Sequence, residues 1–148
     1  MANDVCLITG ESYVDDRGVV SFVNDFDFGR VRRFYMVQNH TAGLVRAWHA
    51  HRHEEKYALV VQGVALVAAV KIEDWDNPPV PEKIHRVALS AQKPSILHIP
   101  PGYANGFKSL TPDMKILFFS TSALEDSLKD DIRWPPDRFG DVWKVIER

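Results

Sequence analysis

The sequence predicts an all-β chain, a jelly-roll barrel or sandwich finished by a short C-terminal helical segment. Three observations predict it. Short runs of β-branched and aromatic residues recur along nearly the whole chain, broken by Gly, Pro, Asn and Asp, the punctuation of antiparallel strands and turns. No repeat, low-complexity segment or linker interrupts the series, so residues 1–148 read as a single domain. Hydrophobic residues make up 45% and charged residues 26% of the 148, the balance of a globular chain long enough to bury a core.

Taken in order, strands are expected over residues 5–9, 18–23, 32–38 and 44–51. A stretch too long for one straight strand follows over 57–72, and Gly63 is where it must bend or break. Pro78, Pro79 and Pro81 make residues 74–82 an exposed hairpin loop. Strands resume over 85–90 and 95–99, end at the tight turn Pro100-Pro101-Gly102, and close with 115–121. A helix is expected over 123–130, with Ser122 as N-cap and Glu125 as its capping-box partner. Pro135 and Pro136 then force an extended tail carrying Trp134, Phe139 and Trp143.

Charge and cysteine usage exclude several classes of function. With 18 basic and 20 acidic residues the net charge is -2, and only Arg30, Arg32 and Arg33 cluster, so no field exists to hold a nucleic-acid backbone. Cys6 is the only cysteine, which rules out an internal disulfide and a cysteine-based zinc site. The first residues lack the pattern of a secretory signal, and no segment has the length of a membrane-spanning helix. A cytoplasmic location without membrane contact is the expectation.

The chemistry concentrates in Trp48-His49-Ala50-His51-Arg52-His53, followed by Glu54, Glu55 and Lys56. On an extended strand, side chains i, i+2 and i+4 share a face, so the imidazoles can line up at the mouth of a β-structure. Such a row suits metal binding or acid–base work. His53 is expected outside the site, and His40, His85 and His98 read as ordinary surface or core residues. The spacing Gly43, His49, His51, Glu55, Gly63 resembles the first motif of the cupin superfamily, and Pro100, Gly102, Asn105 resembles the second. In metal-binding cupins the last position is histidine. A metal-dependent cupin enzyme using His49, His51 and Glu55 is therefore the alternative, and the principal expectation is a site without metal or other cofactor.

A closer resemblance covers nearly the whole chain. It is carried by Asp15-Asp16-Arg17-Gly18, Val37-Gln38-Asn39-His40-Thr41, Val45-Arg46-Ala47-Trp48-His49, Lys56-Tyr57, Ile99-Pro100-Pro101-Gly102-Tyr103-Ala104-Asn105-Gly106-Phe107 and Asp131-Ile132-Arg133-Trp134. In these blocks the chain resembles the dTDP-4-dehydrorhamnose 3,5-epimerase family of nucleotide-sugar cupins. The resemblance implies an isomerase in deoxysugar or surface-polysaccharide biosynthesis, its substrate a nucleotide-linked 4-keto-6-deoxyhexose. His49 would be the base that removes a proton beside the C4 ketone. Lys56 and Arg46 would stabilise the enolate, and Arg17 would hold the diphosphate. Gln38, Asn39, Tyr35, Tyr103 and Asn105 would complete the substrate pocket. Proteins of this type pair by their edge strands, so a homodimer is expected, with residues 5–9 as the candidate contact.

The departures from the family are specific. Phe118 stands where the epimerases have a catalytic tyrosine, and a phenyl ring can neither give nor take a proton. Ala123 and Leu124 replace paired tyrosines, Phe22 an acidic residue, Ala47-Trp48 a glycine segment, and Asn105 a histidine. His49-Ala50-His51 is in turn similar to the dTDP-sugar 3,4-ketoisomerases, in which two histidines move a proton through an enediol. Arg33-Phe34-Tyr35 also resembles a segment of that group and makes Tyr35 a candidate acid. His51 is the other candidate for the role left vacant by Phe118. A nucleotide-sugar-binding protein without turnover is the reading from a different class.

Overall fold

The computed structural model describes residues 3–148. Among the described residues the chain forms strands β1 (Cys6–Thr9), β2 (Glu11–Asp15), β3 (Gly18–Phe22), β4 (Arg33–Gln38), β5 (Val45–Ala50) and β6 (Lys56–Gln62). They continue with β7 (Val64–Lys71), β8 (His85–Ser90), β9 (Ser95–Ile99), β10 (Tyr103–Ser109) and β11 (Lys115–Ser120). Helix α1 (Leu124–Lys129) and a short β12 (Ile132–Arg133) complete the series. One antiparallel sheet has the order β1-β9-β6-β11-β4, the other β12-β5-β10-β7-β8, and β2-β3 stand apart as a hairpin.

The two sheets face each other, because strand alternation points one set of side chains inward from each. Ala58, Val60, Val67, Leu97, Phe107, Ile116 and Phe118 meet between them as the main core. A second core lies on the far side of the β5-β10-β7 sheet, where Trp48, Ala50, Leu66, Ala68, Val70 and Ala104 are covered by Phe139, Val142 and Trp143 of the tail. The apolar run of β7 is thus buried on both faces. Trp48 is 0% exposed, and its indole N–H and that of Trp143 both donate to the carbonyl of Pro136, each at 3.1 Å. The aromatic tail is pinned this way, not left as a free extension.

The break at Gly63 is where the sequence placed it. Its φ of +68° is left-handed, and a Cβ there would sit 2.2 Å from Thr111 Oγ1, so only glycine fits. Three elements differ from expectation. Strand β10 was hidden because Asn105-Gly106 is a turn signal. In the fold Gly106 is a close-approach residue, since a Cβ on it would come within 2.4 Å of the Ala47 Cβ on β5, beside a register shift in that pair. Strand β2 was missed because its residues are almost all exposed, with no buried face to pattern them. Helix α1 starts from Ala123 without a side-chain cap bond, so the Ser122–Glu125 capping box does not form. Ser122 is held one residue too early, its N–H bonded to Ser120 Oγ at 3.1 Å.

Candidate active site

Strands β4, β5, β6, β10 and β11 and helix α1 enclose a cavity of about 300 Å³. On β4 the alternation turns Arg33, Tyr35 and Val37 inward and Phe34, Met36 and Gln38 outward. Inward residues of the other strands add Arg46, His49, Lys56, Asn105, Phe107 and Phe118, and α1 contributes Leu124, Ser127 and Leu128 to the rim. Asp131 and Arg133 reach the cavity from the tail, where β12 lies against β5 in the register Arg133↔His49.

His49 is the half-buried base candidate at the centre of this arrangement. Burial and then the charges of Lys56 and Arg133 push its imidazolium down to about 4, against an opposing pull from Asp131. The ring is therefore neutral at physiological pH and its free lone pair can accept a proton. Asn105, its partner across the β5–β10 pair, donates from Nδ2 to the His49 carbonyl at 3.2 Å and holds the strand in place. The Asp131 carboxyl, which burial alone would raise, is held below the usual carboxylate range by Arg133, 2.9 Å away.

The surrounding cations are individually aimed. Arg46 Nε donates to Asn39 Oδ1 at 2.7 Å, and Asn39 Nδ2 donates to Ser109 Oγ at 2.6 Å. Asn39 is buried, so its place is behind Arg46 and not on the cavity wall. Lys56 Nζ lies 5.7 Å from the Tyr35 ring centroid and 5.8 Å from that of Phe118, within range of both π-faces. Arg33 also stands over the Tyr35 ring, its guanidinium carbon 5.2 Å from the centroid. Four basic side chains against a single lining carboxylate give the cavity an excess of positive charge.

His51 lines the same cavity, yet both ring nitrogens are engaged. Nδ1 donates to the Asp130 carbonyl at 2.5 Å, and Nε2 stands 2.9 Å from Glu54 Oε2. Glu54 and Glu55 diverge. Glu55 turns to the opposite side, 2.8 Å from His98 Nε2 and 2.6 Å from Arg30. The set His49, His51 and Glu55 is consequently not brought together. Among the described residues no cluster of three or more His, Cys, Asp or Glu side chains is arranged to hold a metal ion. The sequence spacing misled because the turn after His51 places Glu54, three residues on, beside the imidazole.

The remaining site expectations fall elsewhere. Gln38 is exposed on the outer face of β4. Tyr103 opens on a separate cleft of about 740 Å³, where its hydroxyl donates to Asp4 at 2.9 Å; burial and that carboxylate push it up to about 12. Arg17 sits at the β2–β3 turn, 85% exposed, paired only with Asp15 at 2.6 Å. Arg33, Asp131 and Arg133 were not singled out from the sequence. The Asp131-Ile132-Arg133-Trp134 block carried the signal for two of them, because a charged pair flanking an apolar residue on a short strand projects to one face.

The model of the dTDP-4-dehydrorhamnose 3,5-epimerase family matches residues 2–147. No curated protein matches the sequence. Among solved structures, a dTDP-4-dehydrorhamnose 3,5-epimerase from Bacillus anthracis with TDP and PPi bound superposes with a TM-score of 0.78 at 20% identity, over 97% of this chain and 87% of that one. An epimerase from Mycobacterium tuberculosis gives 0.77 at 20% identity, over 93% and 73%. The sugar 3,4-ketoisomerase from Thermoanaerobacterium thermosaccharolyticum gives 0.68 at 17% identity, over 94% of both chains. At these identities the superpositions establish the shared cupin-like fold.

Proposed function

The chain belongs to the dTDP-4-dehydrorhamnose 3,5-epimerase family, a family of isomerase-type enzymes, and on that premise we propose that it isomerises a nucleotide-linked 4-keto-6-deoxyhexose in deoxysugar biosynthesis. The observation that carries this reading is His49, kept neutral inside a cavity whose basic lining is Arg33, Arg46, Lys56 and Arg133. A proton beside a ketone becomes acidic as its bonding pair delocalises onto the carbonyl oxygen. Catalysis needs a neutral base at the carbon and fixed positive charge at the oxygen. His49 takes the proton, and Lys56 with Arg46 stabilises the enolate oxygen. The carbon is then reprotonated and the ketone re-forms.

Return of the proton to the opposite face gives an epimer. In place of the tyrosine that Phe118 replaces, the hydroxyl of Tyr35 is the donor in this reading. His51, held by Asp130 and Glu54, is a fixed part of the wall and not a shuttle in this reading. Arg133, at the cavity, joins Arg17 as a diphosphate ligand in this reading. Arg17 reaches a diphosphate only if the β2–β3 hairpin lies against a second copy. Tyr13, Val14, Val19 and Val20 on that hairpin are all exposed, and β1 beside it is a sheet edge, so the proposed homodimer joins along these elements. A nucleotide-sugar binder without turnover draws support from Phe118.

Incubation with dTDP-4-keto-6-deoxyglucose in deuterated water, followed by NMR at C3 and C5, tests the reaction. Deuterium enters at one or both carbons with wild-type protein and not with His49→Gln. Binding of dTDP with no exchange and no ketone migration across a panel of 4-keto sugars would leave the binding reading in its place.

A further inference from the structure

Glu54 lies behind the cavity wall with a side chain that is 0% exposed, and its partners come from three elements. Its Oε1 accepts from the Ser120 hydroxyl on β11 and lies 3.5 Å from Arg33 Nη2 on β4. Its Oε2 pairs with His51 at the end of β5, at 2.9 Å. The same Arg33 Nη2 also donates to Ser127 Oγ on α1, at 3.1 Å. The far side of His51 continues the chain, since Nδ1 donates to the carbonyl of Asp130, the residue that ends α1. Asp130 in turn accepts the backbone N–H groups of Arg52 and His53 on its two carboxylate oxygens, at 2.8 and 2.9 Å.

The α1 helix has little else to hold it. It is six residues long, lacks a side-chain N-cap, and exposes Leu124 and Leu128 at the rim of the cavity. An isolated helix of that length does not persist in water. Its place over the cavity is therefore set by the two routes that converge on Glu54, one through Arg33 and Ser127, the other through His51 and Asp130. A carboxylate enclosed this way is stable only with polar partners around it, here Ser120 and Arg33 at Oε1 and His51 2.9 Å from Oε2. Burial pushes the carboxyl up, but the bonds from His51 and Ser120 and the charge of Lys56 outweigh it and bring it to about 2, so the anion is permanent at physiological pH.

We propose that Glu54 is a positioning residue of this site: its buried carboxylate locks His51, Arg33 and helix α1 into one arrangement and so fixes the wall against which His49 works on the sugar. The assignment rests on the isomerase reading, and it separates two halves of the cavity. Arg133 holds the diphosphate at the β12 edge, and neither it nor Arg46 depends on Glu54. Arg33, His51 and α1 shape the sugar side and depend on it. Loss of the carboxylate accordingly weakens turnover far more than nucleotide binding.

Glu54→Gln keeps the volume and removes the charge, Glu54→Asp keeps the charge and shortens the reach, and Ser127→Ala cuts only the Arg33–α1 link. The variants are compared for dTDP affinity by calorimetry, for steady-state deuterium exchange on the 4-keto sugar, and for amide hydrogen exchange by mass spectrometry. The expected result for Glu54→Gln is a fall in kcat of at least about tenfold with dTDP affinity within about threefold of wild type. Amide exchange rises together in segments 51–54 and 124–130, Ser127→Ala raises it in the second alone, and Glu54→Asp recovers part of kcat. A kcat within about twofold of wild type overturns the proposal, as does a parallel loss of affinity and turnover, which would mark Glu54 as a general fold residue. If wild-type protein itself turns over no 4-keto sugar, the isomerase reading fails, and amide exchange still decides whether Glu54 couples the two segments; uncoupled segments reject the lock.

Discussion

Phe118 and Tyr35 are direct partners across the β4–β11 pair, their rings stacked with centroids 5.3 Å apart and planes 21° from parallel. The position at which the family has a catalytic tyrosine is thus apolar, while the next strand presents a phenol to the same cavity. Lys56 lies against both rings, close to where a developing oxyanion would need it. Tyr35→Phe should lower the rate of deuterium exchange by about 10²-fold, the lower end of what a positioned general acid contributes. In that background Phe118→Tyr should restore part of the loss, because it moves the hydroxyl across one strand. Exchange by Tyr35→Phe at the wild-type rate would remove Tyr35 from the mechanism.

The environment of His49 gives the reaction and the fold a shared acid limit. Only the neutral ring accepts a proton, and it is neutral above about 4, so the exchange rate should be flat through neutral pH and fall on acidification with an inflection near about 4. The stability consequence has the same sign. Between the ordinary value of 6.5 and about 4, the unfolded chain binds a proton that folded His49 does not, so stability falls as pH drops through that window. Glu54 extends the loss, since its carboxyl is lowered from 4.5 to about 2 and its contribution disappears as pH falls across that lower range. Urea midpoints measured from neutral pH downward should decline for wild type, with the upper part of the decline flattened in His49→Gln. An unchanged profile in that variant would show that His49 does not sense its surroundings in this way.

The all-β architecture and the histidine strand were legible because each has a local signature. Alternation marks β4, a continuous apolar run marks β7, and Gly63 marks the bend between β6 and β7. The rest depends on contacts distant in sequence. Gly106 looks like a turn until Ala47 arrives from another strand, and the tail looks irregular until Trp48 pairs with Trp143 and Phe139. In the site, strand spacing pointed to His49 and the family resemblance to Arg46 and Lys56, and all three line the cavity. Spacing could not show that Glu54 and Glu55 part to opposite sides, or that Asn39 works behind Arg46, because side-chain direction after a turn is decided by the partners that meet it.

The diverging glutamates bear directly on metal dependence. With Glu55 committed to His98 and Arg30, and His51 committed to Asp130 and Glu54, His49 is the lining histidine whose ring no described residue holds in a hydrogen bond. A divalent cation would have to break an ion pair to gain a second nitrogen ligand, inside a field of four basic side chains. Dialysis against EDTA should leave deuterium exchange within about twofold of the untreated protein, and added zinc or manganese should not raise it. Restoration of activity by one metal after its removal would return the site to the metal-dependent cupins.

Gly106 connects the packing of the barrel to the site it carries. It lies on β10 between Asn105 and Phe107, both of which line the cavity, and opposite the part of β5 that leads to His49. A methyl group added there would come 2.4 Å from the Ala47 Cβ and 2.8 Å from the Arg46 carbonyl, distances that backbone atoms cannot accept without moving. Gly106→Ala should therefore push β5 and β10 apart and destabilise the protein by about 1–3 kcal/mol, the usual cost of overpacking a close-fitted interior. The separation also loosens the Asn105–His49 bond and displaces Arg46, so exchange should fall more steeply than the folded fraction does. A double variant with Ala47→Gly removes the methyl that Gly106→Ala strikes and should recover part of both losses. If activity tracks the folded fraction in every variant, the close approach at Gly106 serves the barrel alone; if the double variant recovers activity ahead of stability, the spacing of β5 and β10 sets the position of the base.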